Sequence, residues 1–293
     1  MQTTESRKLD VSAPSRLGEG LRLLRLPMPE CDLAAEVRRL LVAKGLTKAP
    51  VDLAELHRHV PAEMQVPDKD GLNAVTRSFY ETDAGFRARY LAIVRHLARE
   101  ALGFEFLFQD TPTMRFHFPV RFIEAYRDEH GTYLGHHNDG MLGHSFEEIN
   151  CWLPLTDCAG SAALQIASLP DSIRLLDEFC RPFDHDPDTF HQGRLRFVER
   201  LLKDGPFRQA TLAATRPYDM RYGEALLFES RCLHATAENA EGRTRISIDF
   251  RLIPLQAYER LERVYASGGR SKRKFVRGDV FSQVSSADLL KVA

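Results

Sequence analysis

Phe104-Glu105-Phe106-Leu107-Phe108 marks the point at which this 293-residue chain changes character. Its phenylalanines alternate with the period of a strand. Arg115-Phe116-His117-Phe118-Pro119 and Arg121-Phe122-Ile123-Glu124-Ala125-Tyr126 follow and read as two strands, rich in residues that suit a pleated surface. Downstream, residues 148–155, 163–167, 225–228 and 244–253 are further strand candidates.

Upstream the pattern is helical. From Asp32, the residues Leu33, Val37, Leu40 and Leu41 recur at helical spacing, and Gly45 supplies a C-cap. A second short helix fits residues 51–60, with Leu53 and Leu56 inward. Thr82 or Asp83 caps a longer one through Phe86, Tyr90, Ile93, Val94 and Leu97 to about residue 102. Residues 1–29 read as loosely ordered, with Pro14, Pro27 and Pro29 around the apolar stretch 21–26. Residues 170–217 are helical and charged and read as an insertion. After Pro254 a short helix, 258–265, leads to a basic loop, Gly-Gly-Arg-Ser-Lys-Arg-Lys, expected to be a solvated connector.

Short strands preceded by helices predict a mainly β, α+β protein whose core is a jelly roll. The expected division is one domain: helical support over 1–104, a jelly-roll core over 105–254 with a helical insertion at 171–216, and a tail over 255–293. Such a core has an open mouth, where a metal and a small ligand fit.

Lys and Arg number 40 against 41 for Asp and Glu, giving a net charge of -1. Counterion-driven binding needs a basic excess, so nucleic-acid and membrane-surface partners are not expected. No run approaches the roughly 18 apolar residues of a membrane span. The five cysteines, at 31, 151, 158, 180 and 232, show neither paired zinc spacing nor a disulfide framework. A reducing cytoplasmic setting is the expectation.

The chemistry-bearing pattern is His137-Asn138-Asp139 with a distant His234. Residues two apart on a strand point to one side, so His137 and Asp139 can grip one metal. With His234 they make the ligand set of a 2-His-1-carboxylate iron site, which leaves three coordination positions open. His136 would face the other way, and His130 and His144 lie in apparent loops without a partner at ligand spacing. Arg245, 11 residues beyond His234, lies on the strand Thr244-Arg245-Ile246-Ser247-Ile248-Asp249-Phe250. Its planar fork suits the far carboxylate of a chelating 2-oxo acid. Arg243 is a rival for that role. Thr236 shares a face with His234 and can add a hydroxyl to the same carboxylate.

Three segments carry a family resemblance: Tyr133-Leu134-Gly135-His136-His137-Asn138-Asp139, Glu148-Ile149-Asn150-Cys151-Trp152-Leu153-Pro154-Leu155-Thr156, and the run from His234 through Asn239 and Arg245 to Arg251. In order and spacing they resemble Fe(II)/2-oxoglutarate dioxygenases of the phytanoyl-CoA hydroxylase superfamily, most of all its StrG-like branch. The resemblance covers about residues 110–254. It implies a double-stranded β-helix, with His137, Asp139 and His234 on iron and Arg245 on the C5 carboxylate of 2-oxoglutarate. Thr236 would stand where the superfamily often has a helping Ser. Ser168-Leu169-Pro170-Asp171-Ser172 replaces the superfamily's frequent Pro-Gly-Ser-His turn, so no role carried by that His transfers.

The implied reaction couples substrate oxidation by O2 to conversion of 2-oxoglutarate into succinate and CO2. Hydroxylation of a polar metabolite, such as an aminocyclitol, sugar or amino acid, is the expected outcome. Ring closure, desaturation and epimerisation would share the oxidising step. Asp139 disfavours halogenation, which needs that coordination position for chloride. Ser247 and Gln165 are further candidates for cosubstrate contact, and Asn150, Trp152 and Tyr126 for substrate contact. Glu124 could also reach substrate and Cys232 could face the metal. Plainer readings stand beside several of these: a half-buried strand with Trp152 as core filler for Asn150 and Trp152, cross-strand structure for Tyr126 and Glu124, and a small buried thiol for Cys232. The insertion reads as a lid. Two other classes compete, a cupin-like isomerase using Zn2+ or Mn2+ without a 2-oxo acid, and a jelly-roll binding module without catalysis.

Overall fold

The structure is a computed structural model that describes residues 15, 17–68, 72–119, 135–142, 144–180, 193–266 and 281–283. Helix α1 (Leu33–Ala43) starts where the Asp32 carboxylate accepts the Ala35 N–H, and chain reversal follows at Gly45, whose φ of +70° a side chain would strain. The next predicted helix is a single 3-10 segment, Leu53–Arg58, and two short helices follow, α2 (Ala62–Gln65) and α3 (Ala74–Ser78). Asp83 caps α4 (Ala84–His96), which runs on into one wider π turn, Leu97–Leu102.

Among the described residues, ten strands follow in chain order: β1 (Leu21–Arg25), β2 (Phe106–Gln109), β3 (Thr113–His117), β4 (Ile149–Pro154), β5 (Leu164–Ile166), β6 (Arg216–Tyr218), β7 (Glu224–Glu229), β8 (His234–Thr236), β9 (Arg245–Pro254) and β10 (Phe281–Gln283). The larger sheet has the order β1-β7-β4-β9-β2-β10, with β3 also paired to β9. The smaller is β6-β5-β8, and every pairing is antiparallel.

Alternation along β9 divides the interior. Ile246, Ile248, Phe250 and Leu252 join β4 and β7 residues and the N-terminal helices in the main core. Phe250 meets the ring of Tyr90 edge-on at 5.0 Å. Each such side chain contributes about 1.5–3 kcal/mol by leaving water. The other face of β9 carries Arg245, Ser247, Asp249 and Arg251 toward the gap between the sheets. Trp152, Leu226 and Phe228 of the large sheet close part of that gap against Leu164 and Ile166 of the small one. The fold is the expected α+β jelly-roll sandwich with helices on one outer face.

Three helices, α5 (Leu169–Cys180), α6 (Gly193–Lys203) and α7 (Gly205–Ala214), build a second core from Leu175, Leu176, Phe179, Phe197, Leu201 and Phe207. That core also takes in Met141 and Leu233, chain neighbours of the candidate ligands. Gly193 is pressed against Met141, since a Cβ there would meet Met141 Cγ at 3.2 Å. These helices thus brace the two segments that carry Asp139 and His234.

Several expectations need correction. Residues 21–25 are not loose: β1 pairs with β7 through Leu21↔Phe228 and Leu23↔Leu226. Its sequence, Leu-Arg-Leu-Leu-Arg, alternates poorly, and its identity comes from the strand beside it. The helical insertion starts at Leu169, and Arg216 and Pro217 belong to β6. The final helix, α8 (Leu255–Ala266), is longer than expected. The expected strand over 121–126 and the basic loop after residue 267 lie outside the described residues.

Candidate metal centre

His137 lies directly opposite His234, the first residue of β8. The His137 N–H donates to the His234 carbonyl at 3.0 Å, and the His234 N–H returns a bond to the His137 carbonyl at 2.9 Å. Asp139 does not continue a strand, as the two-residue spacing had predicted. It opens a 3-10 turn, Asp139–Leu142, which the Asn138 side chain caps by accepting the Met141 N–H at 3.0 Å. The Asp139 N–H donates to the Ser230 carbonyl at 3.0 Å. Even so, one ligand atom from each of His137, Asp139 and His234 lies within 4.8 Å of the others.

Both imidazoles are oriented from behind. His137 Nδ1 sits 2.8 Å from the Gly135 carbonyl and His234 Nδ1 3.0 Å from that of Cys232. A carbonyl only accepts, so each Nδ1 carries a proton, and it is the neutral ring with this tautomer that offers an Nε2 lone pair to a metal. Burial, and then the neighbouring His234, push the His137 pKa well below its ordinary value, which keeps the ring neutral. Burial alone would raise the Asp139 carboxyl. The Arg251 guanidinium first, then His234, His144 and His137, override it and hold the group well below the usual carboxylate range. Two imidazole nitrogens and one carboxylate converge on one point, a set that fits a divalent transition metal.

The carboxylate is held from both sides. Asn150, on the inner face of β4, donates to Asp139 Oδ2 at 2.6 Å. Arg251, its direct neighbour on β9, reaches Asp139 Oδ1 at 3.3 Å and Asp249 Oδ2 at 2.6 Å. Asn150, expected against substrate, thus bonds a candidate ligand.

Arg245 is buried inside the sandwich at 4% exposure, opposite His117 of β3, with its guanidinium carbon 5.9 Å from the Trp152 ring. Its Nε and Nη1 have no hydrogen-bond partner, and neither does the buried Ser247 Oγ two residues on. Burial lowers the Arg245 pKa to about 10, which leaves it charged at neutral pH. Each unmet buried donor costs about 1–3 kcal/mol, and more when charged. An anion placed between Arg245 and Ser247 would satisfy them, so the residues present fit a dicarboxylate cosubstrate. Arg243 is exposed on the preceding turn, where its carbonyl accepts from Asn239.

Thr236 is half-buried and shares the face of His234, across from Leu164. Gln165 is not brought to the site. Leu164 and Ile166 take the inward positions of β5, and the Gln165 amide turns back to donate to the carbonyls of Gly160 and Ala163 at 3.0 and 3.1 Å. Trp152 is buried filler that also flanks Arg245. The Cys232 thiol is directed at the Gly20 carbonyl, and burial pushes its pKa up to about 12. Tyr126, Glu124 and His130 lie outside the described residues.

His136 does face away. Its Nε2 lies 2.9 Å from the hydroxyl of Thr215, which already donates to the Thr211 carbonyl, so His136 is the donor. Burial brings its pKa down to about 4. His144 is not part of the His137–Asp139–His234 cluster, and its Nδ1 lies 2.8 Å from Glu148 Oε2. Arg251 and Asp249 were missed, although the signal was present. Counting by twos from Arg245 along one strand puts residues 247, 249 and 251 on the same face.

No protein-family model matches the chain, and no curated protein does. Solved structures similar in shape include AviO1 from Streptomyces viridochromogenes Tue57, at 14% identity and TM-score 0.44 over 82% of this chain and 91% of that one. The non-heme alpha ketoglutarate dependent carbocyclase SnoK from nogalamycin biosynthesis overlaps at 12% identity and TM-score 0.43, over 91% and 92% of the two chains. EctD from S. alaskensis with bound Fe overlaps at 11% identity and TM-score 0.43, over 88% of this chain and 76% of that one. At TM-scores below 0.5 these overlaps carry no functional weight. No described helix is long and apolar enough to cross a membrane.

Proposed function

We propose that this chain is an Fe(II)- and 2-oxoglutarate-dependent oxygenase that acts on a small polar metabolite. The observation that carries the reading is the pairing of two features in one sandwich: a His137–Asp139–His234 cluster and a buried guanidinium, Arg245, with unmet donors. An isomerase without a 2-oxo acid gives that guanidinium no purpose.

Iron and 2-oxoglutarate, when bound, would activate O2 through oxidative decarboxylation of the cosubstrate to succinate and CO2. The protein's part is positioning. His137, Asp139 and His234 would hold the metal from one side. Arg245, with Ser247 and Thr236, would fix the far carboxylate and so orient the cosubstrate. Trp152, Leu226 and Phe228 wall off water beside them. Hydroxylation is the favoured outcome, with ring closure, desaturation or epimerisation as alternatives from the same residues. The sequence likeness to the StrG-like branch supports an aminocyclitol, sugar or amino acid as substrate.

The test is stoichiometric. Purified protein with Fe(II), 2-oxoglutarate and O2 should form succinate, stimulated by one compound in a panel of polar metabolites, and Asp139→Ala should abolish it. Absence of succinate under every condition would refute the assignment.

A further inference from the structure

Arg251 stands between two carboxylates on the inner face of β9. Its Nη1 donates to Asp249 Oδ2 at 2.6 Å, and its Nη2 lies 3.3 Å from Asp139 Oδ1. The side chains of Arg251, Asp249 and Asp139 are only 14%, 19% and 0% exposed, so water screens these charges weakly. Asp139 Oδ1 is also the oxygen 4.0 Å from His234 Nε2, while Asn150 occupies Oδ2. Oδ1 is therefore the oxygen directed at the metal cluster. A divalent cation and the Arg251 guanidinium compete for that one atom.

We infer that Asp249 is a positioning residue that holds Arg251 off the metal-binding oxygen of Asp139. The inference rests on the metal-centre reading above and adds a determinant of metal affinity to it. The two distances carry it: the shorter, stronger charge-assisted bond goes to the aspartate that is not a ligand. Without the Asp249 charge, the attraction of Arg251 to Asp139 has no opposing pull from that side, and a metal must displace a full ion pair. Without Arg251 the competition disappears, whatever stands at 249. A simple structural ion pair would behave differently, because losing either partner would alter stability and leave metal affinity alone.

The test is Mn(II) binding to the full chain, freed of metal by chelation and followed by calorimetry. Asp249→Asn should weaken Mn(II) binding about tenfold, and Asp249→Asn with Arg251→Gln should recover to within about threefold of the parent. Circular dichroism checks that both fold. If Asp249→Asn does not fold, Arg251→Gln alone decides: affinity several-fold above the parent supports the inference, and parent-like or weaker affinity overturns it. Parent-like affinity in Asp249→Asn, or a double variant as weak as the single one, also overturns it. A parent protein whose Mn(II) binding survives His234→Ala, or that binds none, refutes the metal-centre reading and this inference with it.

Discussion

Asn150 donates its side-chain N–H to Asp139 Oδ2 at 2.6 Å, across the gap between the two sheets. The bond ties a strand of the large sheet to a turn bonded to the small one. It leaves the other carboxylate oxygen directed toward the two histidines, so coordination by Asp139 is expected through one oxygen.

Replacing Asn150 with Ala should weaken Mn(II) or Fe(II) binding by about ten- to a hundredfold, the usual cost of losing a partner behind a ligand. Calorimetric titration measures it. Unchanged affinity would show that the turn holds Asp139 without help.

Arg245→Lys should raise the 2-oxoglutarate Kd by about tenfold or more, because an ammonium cannot reproduce the two-pronged contact. Metal affinity should stay as it is. The chain has a single tryptophan, Trp152, with its ring 5.9 Å from the Arg245 guanidinium, so its fluorescence reports binding at this spot. Equal affinity in the variant would remove Arg245 from the site.

Stability should fall with acid through His117. Burial first, then the Arg245 charge, push its folded-state pKa well below the ordinary value. A depressed pKa means that the unfolded chain binds the extra proton more readily. The contribution of neutral His117 is therefore fully present above its unfolded pKa, about 6.5, and is lost as pH falls below it. Urea unfolding compared at neutral and mildly acidic pH should show this loss, and His117→Asn should flatten the dependence. Identical slopes would contradict it.

Phe197 lies in the insertion and is fully buried among Phe179, Phe207 and Met141. Phe197→Ala should cost about 3–5 kcal/mol of stability, read from denaturant unfolding. Met141 and Leu233 adjoin the ligand segments, so metal affinity should fall as well. A variant with lost stability and intact metal binding would separate the insertion from the site.

The helix starts at Asp32 and Asp83 and the run of β9 were legible because they depend on local chemistry: a carboxylate capping N–H groups, or alternation on one strand. So was the convergence of His137, Asp139 and His234, which the structure brings into one cluster. Leu21–Arg25 was not legible, since an irregular edge strand is defined by its neighbour β7. Gln165 misled because strand parity says which face a side chain leaves from, not whether nearby carbonyls capture it. The part played by Asn150 required knowing that β4 passes behind Asp139, a long-range fact absent from any local window.

The most direct test of the central claim is the visible absorption of the protein mixed anaerobically with Fe(II) and 2-oxoglutarate. Chelation of 2-oxoglutarate to iron at His137, Asp139 and His234 should produce a weak charge-transfer band, lost in Asp139→Ala and His234→Ala and needing more 2-oxoglutarate in Arg245→Lys. A spectrum with no such band, or a band that survives loss of His234, would contradict the account.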